Sequence, residues 1–191
     1  MNKEISVLQN ATRADIVYNP FPHIVLKNCL PLNYYDQLEE SYVKDELLLN
    51  NSDRLPGQNI RMKFRFNDIV SREVTWQQSK VWEDFARYHT SEKFFREIVQ
   101  LFGPEFKTLC PHLESKLETS LESVPVVTHV PDLKLNYKES KKIFLDGDVG
   151  INTTSEVTST VRGDHVDGMQ KLFGGLLYFR KDEDDTTGGD L

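Results

Sequence analysis

The apolar residues change period once along this chain, near residue 124, and that change limits what the chain can fold into. Upstream, apolar side chains recur at helical spacing. Downstream, the chain turns β-branched and alternating. Leu32, Tyr35, Leu38 and Tyr42 lie on one helical face, opened by Pro31, whose missing N–H costs little in a first turn. Residues 73–88 read as a helix with Trp82, Phe85 and Tyr88 near one face. Thr90 or Ser91 caps the next helix, whose stripe is Phe94, Phe95, Ile98, Val99 and Phe102 and which Gly103-Pro104 is expected to end. A further helix is expected over 105–121, interrupted near Pro111. Aromatic stripes at this spacing mark core packing.

Two upstream stretches read as extended. Residues 22–30 are β-branched, begin at Pro22 and stop before Pro31, which suggests a strand. Residues 60–66, Ile-Arg-Met-Lys-Phe-Arg-Phe, alternate apolar and basic side chains, as a half-buried strand or an extended loop would. Their basic face is either a solvated edge or, less simply, a surface turned to substrate. Residues 1–19 show no period and read as a lead-in. From residue 124 onward, Val126–Val130 and Asp132–Tyr137 read as strands. Asp146-Gly-Asp-Val-Gly150 resembles a calcium loop only superficially, because position 157 is Val where the loop needs Glu.

With 191 residues, 38% hydrophobic and 28% charged, the composition is that of one globular domain over 1–191. Residues 1–123 form its mainly helical support and 124–191 the β part. A net charge of −7 lacks the basic face of a nucleic-acid binder, so no nucleic-acid partner is expected. The N-terminus has no apolar signal segment, and no apolar run approaches membrane-spanning length. A cytoplasmic protein without a membrane partner is therefore expected. Cys29 and Cys110 read as reduced, buried thiols. His23 reads as structural or solvated, and His89 and His112 belong to helices and their ends.

Residues 161–191 carry the chemistry. His165 and Asp167 lie two apart, and in a strand positions i and i+2 project to the same side. An imidazole beside a carboxylate supplies two of the three ligands of a 2-His-1-carboxylate Fe(II) site. An apolar run, Leu172–Phe179, follows, then a charged turn over 180–187, then Gly188-Gly189-Asp190-Leu191. This is the order of an antiparallel jelly roll.

Over residues 132–191 the pattern resembles the 2-oxoglutarate- and Fe(II)-dependent oxygenase superfamily, in its prolyl-hydroxylase-like group. The residues that carry the resemblance are His165-Val-Asp167, Tyr178-Phe179 and Gly188-Gly189-Asp190-Leu191. Ile151-Asn152-Thr153-Thr154 and Val161-Arg162-Gly163 add a likeness to bacterial and phage-type members. The resemblance implies an α+β fold in which a helical layer packs on a double-stranded β-helix, of which this chain carries the first half. It implies Fe(II) on His165 and Asp167 and 2-oxoglutarate beside Tyr178 and Tyr137. The activity implied is oxidative decarboxylation of 2-oxoglutarate to succinate and CO2, coupled to hydroxylation of a small-molecule or peptidyl substrate. Tyr178 then binds the cosubstrate's distal carboxylate; the alternative for Tyr178 is a core tyrosine with a satisfied hydroxyl. Arg162 either holds an anionic group or pairs with nearby acids.

The family's distal His and its carboxylate-binding Arg are missing. The five histidines are His23, His89, His112, His129 and His165, so none follows Asp167, and the later basic residues are Lys171, Arg180 and Lys181. The expectation is an incomplete, inactive oxygenase whose last strand leaves an unpaired edge open to homodimerisation. Two other functions fit the same residues: a cupin-like or degenerate metal-binding jelly roll, and an interaction module in which His165 and Asp167 are incidental.

Overall fold

The computed structural model describes residues 6–43, 61–66, 69, 80–128, 140–152 and 171–179. Within them the elements run α1 (Leu32–Glu40), β1 (Arg61–Arg65), α2 (Lys80–His89), α3 (Glu92–Leu109), α4 (Leu113–Leu117), β2 (Val126–Thr128), β3 (Ile143–Leu145) and β4 (Asp148–Asn152). The fold is α+β. No helix among the described residues is long and apolar enough to cross a membrane.

Helical spacing decides what each helix buries. On α1, Leu38 is fully buried and Tyr35 packs against the core, but Leu32 is 74% exposed. The expected apolar face thus loses its first residue, which sits in the helix's opening turn. On α2, Trp82, Phe85 and Tyr88 all face inward as their spacing requires. Ser91 caps α3 by accepting the Phe94 N–H, and Phe95, Ile98 and Val99 are buried behind it.

Contrary to expectation, α3 does not stop at Gly103-Pro104 but continues to Leu109. A proline inside a helix removes one N–H donor and crowds the preceding turn. Tertiary contacts offset that cost here. The guanidinium of Arg13 donates to the Leu101 carbonyl, while Leu101 and Phe106 are buried on either side of the proline. The interruption expected near Pro111 does occur, between α3 and α4.

Residues 22–30 are not a strand. Their one ladder contact is an isolated bridge between Val17 and His23; Val25 is 76% exposed, and Asn28 turns the chain at φ 51°. Asparagine is among the few residues that tolerate this left-handed conformation. Cys29 is half-buried, but Cys110, expected inside, is exposed; both are free thiols.

Two short ladders complete the described fold. β1 pairs antiparallel with β4, placing Phe64 opposite Val149, and both are buried. The half-buried strand expected over 60–66 is present as Arg61–Arg65, and on its exposed side Lys63 meets Asp148 at 2.5 Å. β2 pairs with β3 in parallel. A parallel pair needs a connection of a dozen residues or more, and fourteen lie in sequence between Thr128 and Ile143.

The apolar residues gather in two clusters. One centres on Leu38, Trp82, Phe85, Phe64 and Val149; the other on Phe95, Ile98, Leu121, Val124 and Leu145. The expected lead-in is built into both, since Val7 packs on the first and Leu8 on the second.

Candidate functional site

His165, Asp167 and Tyr137 lie outside the described residues, as does His129. The described part of the expected site is residues 171–179, the apolar run that follows the His-x-Asp pair. The buried strand expected over this run is not formed among the described residues; the run carries no assigned helix or strand, but it packs on both clusters, Leu172 and Phe173 on the second, Leu177 and Phe179 on the first.

Phe179 is the main anchor of this run. Its ring stacks on Tyr35 with centroids 4.9 Å apart and planes 19° apart, and it meets Tyr42 at 5.5 Å and Trp82 at 5.7 Å. The receiving rings are themselves fixed. The Trp82 indole N–H donates to the Leu38 carbonyl at 2.9 Å, and the Tyr42 hydroxyl donates to the Gly150 carbonyl at 2.6 Å. The end of the run is therefore tied to α1, α2 and β4 together.

Alternation decides where Tyr178 goes. With Leu177 and Phe179 turned into the core, Tyr178 and Leu176 share the opposite face and are 58% and 59% exposed. Tyr178 is thus not a core tyrosine; the core positions are its two neighbours. Gly174 and Gly175 carry open space where a Cβ would stand.

No family model, no curated protein and no solved structure matches this chain. Among the described residues no group of three or more His, Cys, Asp or Glu side chains is placed to hold a metal. The two thiols are remote from the His-x-Asp pair in sequence. His112 stands at the start of α4, and the His23 ring contacts the Phe21 carbonyl, as structural histidines do.

Composition and period did not disclose a polar assembly around residues 6–18. His89 is buried among rings, with Phe85 at 3.9 Å and Phe94 at 4.7 Å, and burial pushes its pKa down to about 4. Glu105 receives both terminal nitrogens of Arg13, at 2.8 and 2.9 Å, and the Tyr18 hydroxyl at 2.8 Å. The arginine hydrogen bonds hold its carboxyl at about 2. Thr12-x-x-Asp15 was the visible signal for local order here. The Asp15 carboxylate takes both the Thr12 N–H and its hydroxyl at 2.8 Å.

Proposed function

We propose that this chain carries part of a 2-oxoglutarate- and Fe(II)-dependent oxygenase, with His165 and Asp167 as metal ligands. The observation that carries the reading is the sequence His165-Val-Asp167 followed by an apolar run whose Tyr178 is exposed. The finer architecture proposed with it is a helical layer against the first half of a double-stranded β-helix.

The donor set suits the metal. One imidazole and one carboxylate match the nitrogen and oxygen ligation of non-heme Fe(II), whereas thiolate ligation would favour zinc. Bound there, Fe(II) supplies the oxidative decarboxylation of 2-oxoglutarate and the hydroxylation that accompanies it. The residues of the chain bind and orient. His165 and Asp167 hold the metal from one side of a strand, with Val166 turned the other way. Tyr178 donates its phenol proton to the distal carboxylate of 2-oxoglutarate, and Tyr137 lies along the same cosubstrate. The substrate is proposed as a small molecule or a peptide.

Tyr178 provides the test. A hydrogen bond to a charged group contributes about 1.5–3 kcal/mol. Tyr178→Phe should therefore raise the 2-oxoglutarate needed to develop the anaerobic Fe(II) absorbance by roughly tenfold to 150-fold, with Fe(II) binding itself spared. An unchanged 2-oxoglutarate requirement would remove Tyr178 from the site. Metal bound without any response to 2-oxoglutarate would favour the cupin-like reading, and no metal at all the interaction module.

A further inference from the structure

Residues 6–18 cross the seam between the two clusters as a strap, fastened at two places. At the tip, the Val7 N–H donates to His89 Nε2 at 3.2 Å, and His89 Nδ1 lies 2.8 Å from the Phe85 carbonyl. A carbonyl only accepts, so Nδ1 carries the proton and Nε2 is left as a bare acceptor. Beside it, the Ser6 and Tyr88 hydroxyls each donate to one oxygen of Glu97, and the Leu8 N–H donates back to Ser6 Oγ at 3.1 Å. At the root, Arg13 and Tyr18 hold Glu105.

We propose that the tip of this strap is an acid-sensitive latch: a proton on His89 Nε2 turns the acceptor of the Val7 N–H into a donor and releases residues 6–8. The root stays fastened, because the Glu105 carboxylate is held by a charged, two-pronged arginine.

The surroundings favour a neutral ring. On α2 the neighbouring titratable groups are Tyr88 and the ion pair of Glu83 with Arg87, whose charges offset one another. On α3 they are Glu97, engaged by the Tyr88 and Ser6 hydroxyls, and Lys93, whose ammonium stands 5.2 Å from the Tyr88 ring centroid and opposes a second cation. Residues 6–8 of the strap, Ser-Val-Leu, bring no charge. No carboxylate contacts the imidazole among the described residues, so the ring is held by burial and two neutral hydrogen bonds. The sign follows. The closed state binds fewer protons than the open one between pH 6.5 and about 4, so the latch is fully closed above pH 6.5 and weakens as pH falls toward 4. Between pH 7 and pH 5 the closing equilibrium should fall by at most about twentyfold. Opening would withdraw Val7 from one cluster and Leu8 from the other.

Amide hydrogen exchange on the 191-residue protein at pH 7 and pH 5, corrected for intrinsic exchange, reads both ends of the strap. Protection at residues 6–9 should fall by up to about twentyfold while residues 13–18 keep theirs. In His89→Gln, whose amide oxygen accepts without titrating, residues 6–9 should show no such dependence. Unchanged protection at 6–9, joint loss at 6–9 and 13–18, or the same pH response in His89→Gln would each overturn the latch. Should His89→Gln fold poorly, the imidazole resonances of the unaltered protein decide. Titration of His89 in step with loss of Val7 protection supports the latch, and titration without it overturns it.

Discussion

At Gly147 one hydrogen atom separates a good fit from a clash. A Cβ there would stand 2.7 and 2.8 Å from two ring carbons of Phe66, which is buried edge-on against Phe85. The same glycine accepts the Phe66 N–H at 2.7 Å, so the backbone cannot retreat without losing that bond. Gly147→Ala should cost about 1–3 kcal/mol in denaturant unfolding, as overpacking does. Gly174→Ala and Gly175→Ala, with open space at both positions, should stay within about 0.5 kcal/mol. Equal costs at all three would remove the Phe66 contact as the cause. In the sequence Asp146-Gly147-Asp148 could be rejected as a calcium loop, but its actual role depends on a ring 81 positions earlier. The same holds for His89: its place near a helix end was legible, while the Phe85 carbonyl and Val7 N–H that together fix its tautomer were not.

Among the elements, the helices were legible wherever a tertiary contact did not overrule local preference. Spacing alone gave the inward faces of Trp82, Phe85, Phe95, Ile98 and Val99, and Ser91 gave the start of α3. It failed at Pro104, where Arg13 supports a carbonyl of the preceding turn, and over residues 22–30, where β-branched composition came without a partner strand. Strand pairing is a relation between distant segments, and neither the partnership of β1 with β4 nor the parallel sense of β2 and β3 is encoded in either strand by itself. Over residues 171–179 the apolar character was legible, whereas the docking onto α1 and α2 was not. Phe179→Ala removes contacts with Tyr35, Tyr42 and Trp82 and should cost about 2–3 kcal/mol, short of the 3–5 of a fully buried phenylalanine. Tyr178→Ala, on the open face, should cost less than about 0.5 kcal/mol. A stability profile in which Tyr178 outweighs Phe179 would mean that the run is docked the other way over.

Across the described residues, two apolar clusters are each touched by an N-terminal strap and by the run that follows the His-x-Asp pair. The proposed chemistry stands on that pair. Its geometry lies outside the described residues, and a solution measurement tests it. Anaerobic Fe(II) titration of the 191-residue protein, set beside His165→Ala, Asp167→Ala and Val166→Ala, asks the question directly. On the proposed reading the unaltered protein should bind Fe(II). Loss of His165 or Asp167 should weaken binding by at least about tenfold, since even outer-shell changes around metal sites reach that size. Val166→Ala should leave binding unchanged if the pair projects from one side of a strand as proposed. No Fe(II) binding by the unaltered protein, or equal binding in His165→Ala and Asp167→Ala, would contradict the assignment.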